Sequence, residues 1–184
     1  KNYINVKRMM ATDPGAFHAI MEKMTASAID YLNYQIDEGV QAIQIFDSWV
    51  GCLSVSDYRN HVFAHSKKLL DSISGKVPVI HFGTGNPSLL PLMNEAGGDV
   101  MALDWRAPLK ESWELLGCKA VQGNMDPVAL FGSVDSVRQA AGLILEEVGE
   151  RPGHIFNLGH GILPETPVEN VKALVEFVQG YQTS

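Results

Sequence analysis

"HIFNLGHGILPETPVENVKALVEFVQG", residues 154–180, decides how the rest of the chain is read. It opens on a short apolar run, "HIFNLG", of strand character. A histidine between two glycines and a proline-bounded turn follow. From about Thr166 the period becomes helical, with a proline near the start and Leu174, Phe177 and Val178 on one face. The stretch is therefore a strand, a polar turn and a helix in succession. One such unit is a weak fold signal, so the question is how often it recurs.

It recurs along the whole chain. "TDPGAFHAIMEKMTASAIDYLNYQIDEG" (12–39) begins with a capping Thr12/Asp13 pair and a proline in the first turn, and Gly39 stops it. The strand "VQAIQIF" (40–46) follows. A helix over about 56–74 leads to the strand "VPVIHFG" (77–83), and a shorter one over about 87–96 leads to "DVMALDW" (99–105). The helix "APLKESWELLG" precedes the strand "KAVQGN" (119–124), and a helix over about 134–149 precedes "HIFNLG". Short apolar strands alternating with helices predict parallel pairing and an α/β fold. The crossover rule leaves a doubly wound sheet or part of a (β/α)8 barrel. Five strands suit the first as they stand, whereas a barrel needs eight and about 250 residues. Periodicity leaves both open. No linker or low-complexity tract interrupts the pattern.

Composition narrows the function classes. The 184 residues are 46% hydrophobic and 19% charged, as in an ordinary globular domain, with a net charge of −7. No basic cluster is long enough to follow a phosphate backbone, which argues against nucleic acid. No apolar run reaches the roughly 18 residues of a membrane span. Cys52 and Cys118 lack C-x-x-C spacing and read as free thiols in a reducing, cytoplasmic compartment.

In either architecture, ligands gather at the carboxyl ends of the strands. These ends read Phe46-Asp47-Ser48-Trp49, His81-Phe82-Gly83, Leu103-Asp104-Trp105, Gln122-Gly123-Asn124-Met125-Asp126 and Asn157-Leu158-Gly159-His160-Gly161. Each has a plainer reading. Asp126 before Pro127 suits a helix cap. Asp104 could bind Arg106 or a backbone amide, and His81 could be a satisfied core histidine. Ser48 lacks the G-x-S-x-G turn of a hydrolase nucleophile. "HFGTGNP" matches neither G-x-G-x-x-G nor a P-loop, and no His/Cys set has zinc spacing. His160 stands out, because its glycines permit close backbone approach by a ligand and dihedrals closed to other residues, and an imidazole pairs with carboxylates or donates protons near neutral pH.

"GVQAIQIFDSWVGCLS", "DVMALDWRAPL", "AVQGNMDPVAL" and "IFNLGHGILPETPVENVKALVEFV" together resemble, in order and spacing, successive stretches of the uroporphyrinogen decarboxylase family. The resemblance covers essentially the whole chain. It implies that residues 1–184 form the C-terminal five βα units of a single (β/α)8 TIM-barrel domain. It further implies a cytoplasmic, homodimeric, cofactor-free carboxy-lyase. Its substrate would be uroporphyrinogen III, whose four acetate arms lose carbon dioxide to give coproporphyrinogen III in haem biosynthesis. Carried onto this sequence, the motifs place Phe46 and Ser48 in the substrate cavity and His160 against a substrate carboxylate or pyrrole edge, as the catalytic residue. The family's R-Q-A-G-R-Y segment, an upstream strand-end aspartate and a mid-chain tyrosine have no counterpart here, so the expectation is a C-terminal half that is inactive alone. Two further readings stand beside it. One is a zinc- or corrinoid-dependent methyltransferase of the same superfamily, which would carry His-x-Cys where this chain has His81-Phe82-Gly83. The other is a non-catalytic tetrapyrrole-binding half-barrel.

Overall fold

A computed structural model describes residues 3–182. Its residues fall into two compact units, one ending at Asp99 and the other starting at Val100.

The first unit opens with two helices, α1 (Ile4–Thr12) and α2 (Pro14–Asp37). Asp13 separates them: its side chain accepts the Ala16 N–H, and Pro14 supplies the preset φ of a first turn. Strand β1 (Ile43–Asp47) then pairs in parallel with β2 (Val79–Gly83), Ile43 opposite Val79 and Asp47 opposite Gly83. Between them lie α3 (Val55–His61) and α4 (Phe63–Ile73), and α5 (Leu90–Ala96) follows β2. The single helix expected over 56–74 is thus two. A Ser54/Asp57 capping box starts α3. The chain breaks at Val62, whose φ of −119° leaves the helical range. Leu32, Ile43, Leu70, Ile73, Val79 and Ala96 form the core between the strands and their helices.

The second unit is a three-strand parallel set. Strand β3 (Val100–Ala102) pairs with β4 (Ala120–Met125), and β4 with β5 (His154–Leu158). Helices α6 (Leu109–Leu116), α7 (Val134–Val148) and α8 (Val168–Gly180) follow the strands in turn. Ser133 caps α7 by accepting the Ser136 N–H, and Gly117 ends α6 in the left-handed conformation that a Cβ would disfavour. Met125, Leu130, Val137, Ala141 and Leu174 make the core. The predicted class holds: the fold is α/β, and the strands pair in parallel within each unit. Among the described residues no helix is long and apolar enough to cross a membrane, and both cysteines are free thiols.

Candidate functional site

In the first unit the strand ends present Phe46 and Ser48. Phe46 is 66% exposed, and its ring meets Phe82 edge-on at 5.8 Å. The two are register partners and share one face of the pleat. Ser48 is half-buried in the turn after β1. That turn is pinned from below. A Cβ at Gly51 would lie 2.7 Å from Gly85 Cα, and Asn86 Nδ2 donates to Leu53 O at 3.0 Å.

Asp47, read from sequence as part of the same rim, belongs to the other face. It lines an apolar pocket of about 630 Å³ with Met10, Phe17, Met21 and Trp49 among its neighbours. Loss of water around it pushes its carboxyl up to about 6. His81 also lies on the helix side, fully buried. Its Nδ1–H is shared between Met93 O and Gly97 O, both at 3.2 Å, while Nε2 is buried without a partner among the described residues. Burial is the largest influence on this ring and holds it below the ordinary imidazole range, with the two carbonyls pulling the other way. The core reading of His81 therefore holds for one ring nitrogen and not for the other.

In the second unit the strand ends are built of backbone packed on backbone. Asp104 follows β3 with a side chain only 3% exposed. It does both things the sequence allowed: Oδ1 accepts the Arg106 N–H at 2.7 Å, and Oδ2 accepts Arg106 Nη1 at 2.7 Å. The Arg106 guanidinium lies over the Trp105 ring, 3.7 Å from its centre. Asn124, at the end of β4, is buried and donates through Nδ2 to Asp104 O (2.9 Å) and Ala107 O (2.6 Å). This clamp ties β4 to the connection between β3 and α6. Asp126 is a cap, as its position before Pro127 suggested: its carboxylate accepts the Val128 N–H at 2.9 Å over the turn Pro127–Phe131.

His160 emerges directly above that scaffold. Gly159 N–H donates to Met125 O at 2.7 Å. A Cβ on Gly159 would collide with Trp105 N and come within 3.0 Å of Asp104 C. The reason for the flanking glycines is thus not the expected one. Neither takes a left-handed backbone; Gly159 makes room for neighbouring backbone, and Gly161 has open space around it. His160 is half-buried, with its ring edge-on to Trp105 at 6.0 Å. Its Nδ1 accepts the Gly161 N–H at 2.7 Å. An accepting Nδ1 leaves the ring hydrogen on Nε2.

Among the described residues, no three His, Cys, Asp or Glu side chains converge as metal ligands. At the position where a His-x-Cys pair would stand, a Cβ on Gly83 would press on the flexible end of Met93 and lie 2.9 Å from Val50 Cγ1, so a larger residue there requires those side chains to move. Two elements were not singled out from sequence. The Asn124 clamp depends on carbonyls about twenty positions away. The stacked Arg106 had a signal in the adjacent Asp-Trp-Arg triplet.

The uroporphyrinogen decarboxylase (URO-D) family model matches residues 1–181. The chain is 48% identical to uroporphyrinogen decarboxylase of Koribacter versatilis over all of its own length and 53% of that protein. It is 52% identical to the enzyme of the same name from Carboxydothermus hydrogenoformans, over 97% of this chain and 51% of that one. The chain spans about half the length of the curated relatives it matches. Among solved structures, a methyltransferase from Methanosarcina mazei superposes with a TM-score of 0.73 at 26% identity, covering 84% of this chain and 46% of that one.

Proposed function

The chain belongs to the uroporphyrinogen decarboxylase family, and from that premise we propose that residues 1–184 are the C-terminal part of one (β/α)8-barrel domain that decarboxylates uroporphyrinogen III. The reaction removes carbon dioxide from four acetate arms and yields coproporphyrinogen III in haem biosynthesis. It needs no cofactor, because the substrate supplies its own electron sink. A proton added to the pyrrole carbon beside an acetate arm makes the ring cationic. The carbon–carbon bond to the carboxylate then breaks, its electron pair neutralises the ring, a second proton completes the methyl group, and the proton first added leaves the ring carbon to restore the aromatic pyrrole. The protein is left to bind an anion, deliver protons and stabilise a transient cation.

His160 is the observation that carries this reading. A fixed Nε2–H at a strand end, on a backbone too tightly packed to drift, is a preorganised donor for a substrate carboxylate or pyrrole edge. Phe46 and Ser48 line the cavity in this reading: an exposed aromatic face for a flat macrocycle and a hydroxyl beside it. The working protein is a cytoplasmic homodimer. Its electrostatic complement includes arginine and aspartate positions outside these residues, so the 184-residue chain alone turns over no substrate.

An anaerobic assay tests this on the full-length protein that carries the chain. Uroporphyrinogen III is supplied, and porphyrins are separated by carboxylate number after oxidation. Stepwise products with seven to four carboxylates support the decarboxylase. Their absence favours the methyltransferase reading, which rests on the resemblance to the Methanosarcina mazei structure; about one bound zinc per chain then supports it, despite the crowding at Gly83.

A further inference from the structure

Arg106 has no part in the reading above, yet its surroundings are those of a built anion site. Its guanidinium is fixed on two sides. Asp104, almost fully buried, holds Nη1 at 2.7 Å, and the Trp105 ring supports the plane from below at 3.7 Å. The side chain is still 46% exposed. With Nη1 engaged by Asp104, the guanidinium still carries the Nη2 and Nε hydrogens, and that pair is a fork that can take both oxygens of a carboxylate. The same Trp105 ring stands edge-on to His160 at 6.0 Å. The fork and the Nε2–H donor therefore share one aromatic support.

We propose that Arg106 is a substrate-anchoring residue, binding one carboxylate arm of the substrate side-on while His160 addresses the same molecule. The inference rests on the decarboxylase reading, since a decarboxylase by definition acts on a carboxylic acid. Asp104 cancels the arginine's charge at long range, so the site does not steer anions from a distance. It recognises them on contact, through geometry. Stacking and ion pairing have already restricted the side chain, so binding forfeits little rotamer freedom. Lysine cannot replace it: a single ammonium pairing with Asp104 leaves no planar fork to offer.

The test uses uroporphyrin, the fluorescent octacarboxylate, as a binding probe for the full-length protein and its R106Q and R106K forms. Melting temperatures confirm that each variant is folded. R106Q keeps an amide donor for Asp104 and lacks the charged fork. Both variants are expected to bind uroporphyrin about 10- to 100-fold more weakly. The steady-state signature is a raised KM for uroporphyrinogen III with a smaller change in kcat. Wild-type affinity in R106Q, or full retention in R106K, overturns the anchor while turnover by the unsubstituted protein leaves the decarboxylase reading standing. Arg106-dependent binding without any turnover does the reverse. Neither binding nor turnover by the unsubstituted protein overturns both.

Discussion

The strand ends of the two units solve the same problem differently. In the first, β1 ends in an exposed phenylalanine and a serine on a turn that packs closely at Gly51 and is tied through Asn86. In the second, β3, β4 and β5 end in a lattice of backbone contacts and buried amide and carboxylate groups, with His160 and Arg106 standing on it. The first arrangement offers shape and apolar area. The second offers directed hydrogen bonds, which lose their value when a donor moves by an ångström.

That contrast can be broken most severely at Gly159. Gly159→Ala drives a Cβ into Trp105 N and is expected to cost about 3 kcal/mol of stability or more, because backbone on both sides must shift. Gly161→Ala, two residues on in open space, should stay within about 0.5 kcal/mol of the parent. Chemical denaturation of the two variants makes the comparison, and equal losses would dissolve the distinction between crowded and open positions. Asn124→Ala comes next. It takes a donor from two buried carbonyls, of which Asp104 O keeps the Ala107 N–H, and is expected to cost about 1–3 kcal/mol, again by denaturation.

A smaller effect with a definite sign belongs to Asp47. Its folded-state pKa of about 6 lies above the usual carboxylate value, so the folded form holds its proton more tightly than the unfolded chain. Stability from this group is then present below about pH 4, is lost as pH rises from about 4 to 6, and stays lost at neutrality. Asp47→Asn should stabilise the protein by about 1–2 kcal/mol at pH 7 and by almost nothing at pH 4. Melting curves at the two pH values decide it; an equal effect at both would show that the charge is not what matters. The smallest change in stability is expected for Phe46→Ala, below about 0.5 kcal/mol since the ring is mostly exposed. A raised KM for uroporphyrinogen III in that variant would mark the ring as contact surface.

How much of this could be read from residues alone follows from the range of each interaction. The Asp13–Pro14 start, the Ser133 cap and the Asp126 cap are local, and the sequence displays them in full. The strand and helix order is equally visible, because period and punctuation are local too. The break at Val62 was not, since the apolar pattern continues across it and a tertiary fit turns the chain. Asp47 and Phe46 are adjacent in sequence and opposite in space, and strand pleat separates residues that a rim reading groups together. The purpose of Gly159 was hidden for the same reason. Its neighbour is Trp105 backbone, more than fifty positions away. His160 was found through its flanking glycines, although their role proved to be packing rather than unusual dihedrals.

The role proposed for His160 is donation through Nε2–H, with Nδ1 committed to Gly161. Its most direct test is anaerobic kcat/KM for uroporphyrinogen III in the full-length protein with His160→Gln, His160→Asn and His160→Ala. A glutamine amide reaches the place of Nε2, whereas an asparagine amide reaches only that of Nδ1. The account predicts that glutamine retains activity within about tenfold of the parent and that asparagine and alanine fall together by about 100-fold or more. Asparagine matching glutamine, or alanine retaining parental activity, would contradict it.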